Sequence, residues 1–279
     1  MASEPSNYTL EEQIACQIAR SFGPGDMIAV MAISNCSLVG AALAQKLYAG
    51  DLAIAQQVKG SRGWVWLSDV RLPFTGNQPP GACTEIPLFT EEIFDLQLAG
   101  KLNVLMSPAQ IDKFGNMNIS VVGDWNKPTA VLAMARGVPD NTTNGKAVFY
   151  VVNNHSPRVF VERVDFVCGY GHGVQRQQGV IKYGRPEKVI SNLGVLDFDE
   201  GTGQIRLASV HTGVSVQQVV DSTGFELVLA NPVAETPPPT EEELRIIRGD
   251  VDPRGVRRLD FLKGEALQAA MKEINAAPQ

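Results

Sequence analysis

Charge is scarce in this sequence. Lys and Arg number 24 and Asp and Glu 30, a formal net charge of −6, and charged residues make up 19% of the 279. An average soluble domain carries roughly 25%. Without a basic surplus there is no electrostatic footprint for nucleic acid. Histidine is scarcer still. His155, His172 and His211 lie far apart, with no i, i+4 pair and no short HxH, so no metal site is expected. Cys16, Cys36, Cys83 and Cys168 never form a CxxC, which excludes a zinc or redox motif from spacing. They read as reduced thiols of a cytoplasmic protein. Long apolar runs are missing too. A stretch such as Ala147–Val152 falls far short of the roughly 18 residues of a membrane span, so no membrane is expected as partner. Met1–Thr9 is polar and lacks the basic and apolar regions of a secretion signal. No GxxxxGK[ST], GxGxxG or GxSxG is present, which removes the common phosphate loops and the hydrolase elbow.

What is abundant is apolar residue, 44% of the chain, which excludes a disordered polypeptide. The length suits one large α/β domain or two small ones. The thin charge implies that part of the surface is covered by something other than water.

Thr9-Leu10-Glu11-Glu12 forms a capping box. It opens a helix expected to run to about Phe22, with Ile14, Ile18 and Phe22 at helical spacing. An apolar run Met27–Met31, a polar turn Ser34-Asn35-Cys36-Ser37, a Gly/Ala-rich helix Leu38–Tyr48 and a second apolar run Leu52–Val58 follow. Strand, loop, helix and strand within about 30 residues make a βαβ unit and hence a parallel sheet. Ligands of such sheets sit at the carboxyl ends of the strands, here at Ala32–Ser37 and Gln57–Gly63. Residues 60–90, rich in Gly, Pro and Trp, are too long for a simple connection and read as a functional or interface loop region. A helix Thr90–Leu98 comes next. Short strands are then expected at 103–106, 118–122, 129–133, 147–152, 158–167, 188–192, 194–198 and 204–210. After them come a helix 215–222, a strand 225–229, a stiff proline linker 231–239, a second capping box at Thr240-Glu241-Glu242-Glu243 and a terminal helix 265–276. On these residues alone the chain is an α/β protein with an open ligand question.

Ala109-Gln110-Ile111-Asp112-Lys113-Phe114-Gly115-Asn116-Met117-Asn118 resembles the Q-I-D-x-x-G-N-x-N segment of family I CoA-transferases, in the subunit like the β subunit of glutaconate CoA-transferase. In the family's order, Tyr48-Ala49-Gly50-Asp51 resembles its Y/F-A-P-D turn and Gly137 to Asn144 its Gly-rich loop near the thioester. Val189–Phe198 and Thr223–Glu226 resemble its late strands, and Ile247–Pro253 its closing I-R-x-x-I-D-P. The resemblance spans roughly residues 10–258. It implies an α/β fold with an open, mostly parallel sheet, helices on both faces and extra β-hairpins. Residues 1–258 would form a single domain and 259–279 a helical tail. It also implies a homologous α subunit as partner, in α2β2 or a higher assembly, and acyl-CoA as substrate class. Coenzyme A then enters as part of the substrate, with no permanently bound cofactor.

In the true transferases of this family a glutamate of this subunit attacks the thioester. Counting from Tyr48 places Gln57 in that slot, and no Glu occurs between Glu12 and Glu85. A Gln amide donates and accepts hydrogen bonds but is no nucleophile for a thioester. Two branches of the superfamily lack the glutamate. One is a decarboxylase branch carrying Cys there. The other is a steroid-ring-opening hydrolase branch, which this chain resembles more at Gly115–Ser120, Asn154–Glu162 and Ser191–Val195. That branch cleaves a β-diketone C–C bond of a CoA-linked ring with water, its acid/base glutamate lying on the α subunit. Hydrolysis in steroid catabolism is therefore the expected activity. The alternatives are transfer of CoA between carboxylic acids and a noncatalytic scaffolding subunit.

Gln57, Asn35 and Arg136 are the candidate catalytic residues, since an activated water and an enolate need hydrogen-bond donors. Ser34, Arg62, Gln110, Asn116, Gly137 and Asn141 are the candidate substrate and CoA contacts. Each has an ordinary structural counterpart. Ser34 and Asn35 suit a helix cap, Gln57 a strand end and Arg62 a solvated loop. Gln110 and Asn116 suit an amide-stabilised hairpin, and 136–141 a turn. Cys36 has no neighbouring His and reads as a buried thiol. His155 and His211 read as structural.

Overall fold

The computed structural model describes residues 7–30, 34–57, 64–67, 70–72, 84–88, 90–132, 134–173, 176, 178–179, 181 and 183–276. The chain divides into two compact units, Met1–Thr90 with Pro238–Gln279, and Glu91–Pro237. The last 40 or so residues thus pack into the same unit as the first 90, where a single domain with a tail is the expectation.

In the first unit, helix α1 (Leu10–Ala19) starts where the capping box places it, with the Thr9 N–H donating to Glu12 Oε2 at 2.9 Å. Ile14, Ile18 and Phe22 are buried. Strand β1 (Met27–Val30) and strand β2 (Ala53–Gln57) pair in parallel, Met27 opposite Ala53, around helix α2 (Asn35–Leu47). This is the expected βαβ unit. The Gly/Ala face of α2 lies against α1. A Cβ on Gly40 would stand 2.6 Å from Ile18 and 2.8 Å from the Ala15 carbonyl, so only glycine permits the approach. Within residues 60–90, expected as a loop region, the chain forms strand β3 (Trp64–Leu67) and strand β4 (Thr84–Leu88), each antiparallel to its neighbour in the order β1-β2-β3-β4. Residues 58–63 and 73–83, with Arg62 and Pro79-Pro80-Gly81, lie outside the described residues.

The C-terminal segment is tied to α1 by buried charge. Thr240 caps the helix Glu241–Ile246, its Oγ1 accepting from Glu243 N at 3.2 Å. Arg20 meets Glu243 in a two-point bond at 2.8 and 2.6 Å, and the Tyr48 hydroxyl donates to the same carboxylate at 2.6 Å. Glu12 accepts from Arg248 Nε at 2.8 Å and from Arg257 Nη2 at 2.6 Å. Arg257 also holds Asp252 at 2.9 Å. Asp252 in turn accepts the N–H groups of Val256 at 2.7 Å and Arg257 at 3.0 Å, at the start of the 3-10 helix Val256–Phe261. Arg248 and Asp252 are the Arg and second Asp of the closing motif, and their work is to fold the C-terminus back.

The second unit contains helix α3 (Thr90–Leu98), strand β5 (Leu102–Met106), the two-residue pair β6 (Gln110–Ile111) and β7 (Met117–Asn118), and the hairpin β8 (Val121–Asp124) with β9 (Lys127–Val131). Then come helix α4 (Val138–Thr143), strands β10 (Ala147–Val152), β11 (Pro186–Ser191), β12 (Gly194–Phe198) and β13 (Ile205–Val210), helix α5 (Val216–Asp221) and strand β14 (Val228–Glu235). β5, β10 and β11 pair in parallel, β12 and β13 add antiparallel, and β14 lies parallel to β13. β10 is buried along its whole length, as a central strand of a parallel sheet should be. The fold is of the α/β class, with the extra hairpins.

Three expectations are corrected. The strand expected at 158–167 is a series of turns with isolated bridges at Phe160 and Val161. Its N–H groups at Val159 and Phe160 go back to the Ser156 carbonyl. The strand expected at 118–122 breaks at Ile119-Ser120 because the Asn118 side chain captures Ser120 N at 2.8 Å and Val121 O at 2.6 Å. The proline linker is shorter than expected, since β14 runs on to Glu235. Trp125, Val131, Leu132 and Met134 are exposed at and just after the β8–β9 hairpin. Among the described residues no helix is long and apolar enough to cross a membrane.

Candidate functional site

In the first unit the carboxyl ends of β1 and β2 lie side by side, as the parallel register requires. β1 leads into α2, whose N-cap is Ser34 with extended backbone angles. Asn35 is thus the first helical residue, so the expected polar turn 34–37 is the opening turn of a helix. A helix N-terminus leaves its first N–H groups without intrahelical partners. The Ser34 side chain does not close them. Asp260, 225 residues away, does. Its Oδ1 accepts from Asn35 N at 2.9 Å and Asn35 Nδ2 at 2.7 Å, and its Oδ2 accepts from Ser34 Oγ at 2.8 Å and Cys36 N at 2.9 Å. An anionic side chain at this end also meets the positive pole of the helix. Cys36 is fully buried behind it. Burial, then the Asp260 charge, push its thiol well above the ordinary range, so it carries no thiolate at neutral pH.

Gln57 is the last residue of β2, opposite Trp64 of β3. Its side chain, like Arg62, lies outside the described residues.

In the second unit Arg136 and Gly137 form the turn that enters α4. Arg136 has φ 48° and Met134 φ 66°, two non-glycine residues in the left-handed region within three positions. Each costs on the order of 1–2 kcal/mol, and such backbone is a feature of binding and catalytic turns. Arg136 is exposed. A Cβ on Gly137 would stand 3.0 Å from the Phe94 ring, so the turn hugs α3.

Three expected binding residues face inward. Asn141 is buried, its Oδ1 bonded to Gln97 and its Nδ2 3.3 Å from Met106 Sδ at the carboxyl end of β5. It braces α4 from beneath. Gln110 is buried. Its Oε1 accepts from Asn118 Nδ2 at 2.7 Å and Asp165 N at 3.1 Å, and its Nε2 donates to Asp165 at 2.8 Å. Asn116 donates to Asp112 at 2.9 Å and accepts from Gly171 N at 2.8 Å. Gly115, at φ +78°, makes the turn between them. The Gln-Ile-Asp motif is therefore a hairpin knitted by side-chain amides. Burial raises the Asp112 carboxyl.

His155 is sandwiched between Ser191 Oγ and Thr223 Oγ1 at 3.0 Å each, and stacks on Phe160 at 3.7 Å. Burial holds it at about 3 and His211 at about 4, so both are neutral struts at pH 7. Among the described residues no group of three or more His, Cys, Asp or Glu could hold a metal.

The model of the coenzyme A transferase family matches residues 12–222, about three quarters of the chain. The chain belongs to the coenzyme A transferase family. Among curated relatives, the cholesterol ring-cleaving hydrolase IpdB subunit of Mycobacterium tuberculosis is 33% identical over 256 residues, 89% of this chain and 97% of that protein. The crystal structure of Rhodococcus jostii IpdAB superposes with a TM-score of 0.79 at 32% identity, covering 91% of this chain and 99% of that one. Glutaconate coenzyme A-transferase of Acidaminococcus fermentans superposes at 0.77 with 25% identity, over 91% and 98%. Asp260 lies outside the matched family region and has no motif in the sequence. The closing Ile-Arg-x-x-Val-Asp-Pro stretch just before it, with the capping box at Thr240, is the signal that the C-terminus is built into the fold.

Proposed function

We propose that this chain is the β subunit of a heteromeric, CoA-transferase-like enzyme of the cytoplasm. It acts on an acyl-CoA by hydrolytic cleavage of a ring C–C bond in steroid catabolism, and a homologous α subunit supplies the acid/base glutamate. One observation carries the reading. The strand end where a transferase needs a glutamate holds Gln57, in a stretch with no Glu from residue 13 to 84, while the likeness to the cholesterol ring-cleaving subunits extends over nine tenths of the chain. The exposed apolar side chains Trp125, Val131, Leu132 and Met134 support an apolar partner surface.

In the reaction a water oxygen adds to the ketone carbonyl of a CoA-linked β-diketone. The C–C bond breaks to leave a carboxylate and an enolate, and the enolate carbon takes a proton. Asn35, the first residue of α2, and Gln57, the last residue of β2, supply neutral donors that stabilise developing oxyanion charge without competing as nucleophiles. Arg136, on the turn that enters α4, is a separate candidate on the second unit, a cation suited to an anionic ligand group. Coenzyme A is part of the substrate and leaves with the product.

The test is reconstitution with a homologous α subunit, followed by chromatography of a cyclic β-diketone acyl-CoA. Ring opening with release of no free CoA supports the proposal. CoA exchange onto an added carboxylate would assign transfer instead. Full activity after each single substitution N35A, Q57A and R136A would assign scaffolding.

A further inference from the structure

We infer that Asp260 is a positioning residue for Asn35, so that the C-terminal hook, and not only the matched family region, completes this subunit's contribution to the reaction. The inference rests on the assignment of Asn35 to the reacting centre.

The geometry is specific. One carboxylate oxygen bridges the backbone N–H and the side-chain amide of the same residue, at 2.9 and 2.7 Å. That closes a small ring through Asn35 and fixes both of its side-chain torsions. A carboxylate only accepts hydrogen bonds, so the atom of Asn35 facing Asp260 must be Nδ2. The amide direction is thereby set by chemistry. Its carbonyl oxygen and its second N–H are not engaged by Asp260. The other carboxylate oxygen holds Ser34 Oγ and Cys36 N, which clamps the residues on either side.

Asp260 is itself held in place. It sits on the 3-10 helix Val256–Phe261. Three residues earlier Arg257 is locked by Glu12 of α1 at 2.6 Å and by Asp252 at 2.9 Å. The Cys36 thiol lies 3.8 Å from the Arg257 carbonyl. The carboxylate therefore cannot follow Asn35 if the side chain turns. It acts as a fixed peg, which is what a donor held for a transient oxyanion needs. A simple N-cap would require only the backbone N–H bonds. The bond to Asn35 Nδ2 is surplus to capping.

The test uses the assembled complex with its α subunit and a cyclic β-diketone acyl-CoA, comparing wild type, N35A, D260A, D260N and the double variant N35A/D260A. Loss of an oxyanion donor lowers kcat by about 100-fold or more, which is expected of N35A. D260A is expected to lower kcat by about ten-fold with KM nearly unchanged, and D260N by less, since one acceptor oxygen survives. The double variant is expected to be no slower than N35A alone, because Asp260 acts only through Asn35. Losses that multiply in the double variant, or a D260A enzyme with wild-type kcat beside an impaired N35A, would overturn the inference. Wild-type kcat in N35A would overturn the assignment of Asn35 itself. If D260A does not assemble with its partner, the cycle is run with D260N, whose wild-type kcat would overturn the inference equally.

Discussion

Replacing Glu12 with Gln tests how the C-terminus is held. Glu12 is almost fully buried, between Arg248 and Arg257. Burial alone would raise its carboxyl. The hydrogen bonds from Arg248 and the Thr9 N–H, with the charges of Arg257 and Arg248, more than reverse this and bring it from 4.5 down to about 2. A native pKa below the unfolded one means that the unfolded chain binds the proton first. The carboxylate therefore contributes stability that is complete above pH 4.5 and is lost as pH falls toward 2. The difference corresponds to about 3 kcal/mol, in line with the cost of removing one partner of a buried ion pair. Glu12→Gln keeps the shape but leaves Arg257 to Asp252 alone and Arg248 to the Asn7 carbonyl. Urea denaturation of the full chain at pH 7 should show a loss of about 3 kcal/mol, narrowing steadily between pH 5 and pH 3. Equal stability at pH 7, or a gap that does not change with pH, would refute the reasoning.

His155 should contribute an acid-side slope. Its native pKa of about 3 lies below the ordinary 6.5. Stability therefore rises with pH between those values, by about 2 kcal/mol from pH 5 to pH 7, and H155Q should flatten this part of the stability–pH curve. Gly115→Ala forces a side chain at φ +78° and sets a Cβ 2.7 Å from the Phe198 ring. A loss of about 2 kcal/mol is expected in urea denaturation. Cys16 and Cys36 are buried with raised thiol pKa values. Mass spectrometry after iodoacetamide at pH 8 should find both unlabelled in the native chain and labelled once it is unfolded.

Local pattern carried much of the fold. The capping boxes at Thr9 and Thr240, the βαβ unit and the strand Gly194–Phe198 stand where spacing puts them, because each depends on neighbours in sequence. The errors arise where a distant group decides. Residues 158–161 carry the Val and Phe of a strand, yet their partners are the Ser156 carbonyl and Ile111. Asn118 breaks a strand with its own amide. The candidate site was legible in the same uneven way. Ser34 and Asn35 were placed at a strand end from the chain alone, but the carboxylate that orients them comes from residue 260, and no local pattern announces it. Gln110, Asn116 and Asn141 are polar residues in a family motif, and nothing in a sequence distinguishes an amide aimed at a ligand from one that knits a hairpin. Burial and partners do.

The central claim is hydrolysis without a covalent intermediate on this subunit. It is tested most directly by running the reconstituted enzyme in H2-18O and analysing product and protein together by mass spectrometry. One 18O is expected in the newly formed carboxylate, with the CoA thioester retained in the product and this chain at its unmodified mass after rapid quenching. A CoA adduct on this chain, or a new carboxylate without solvent oxygen, would contradict it.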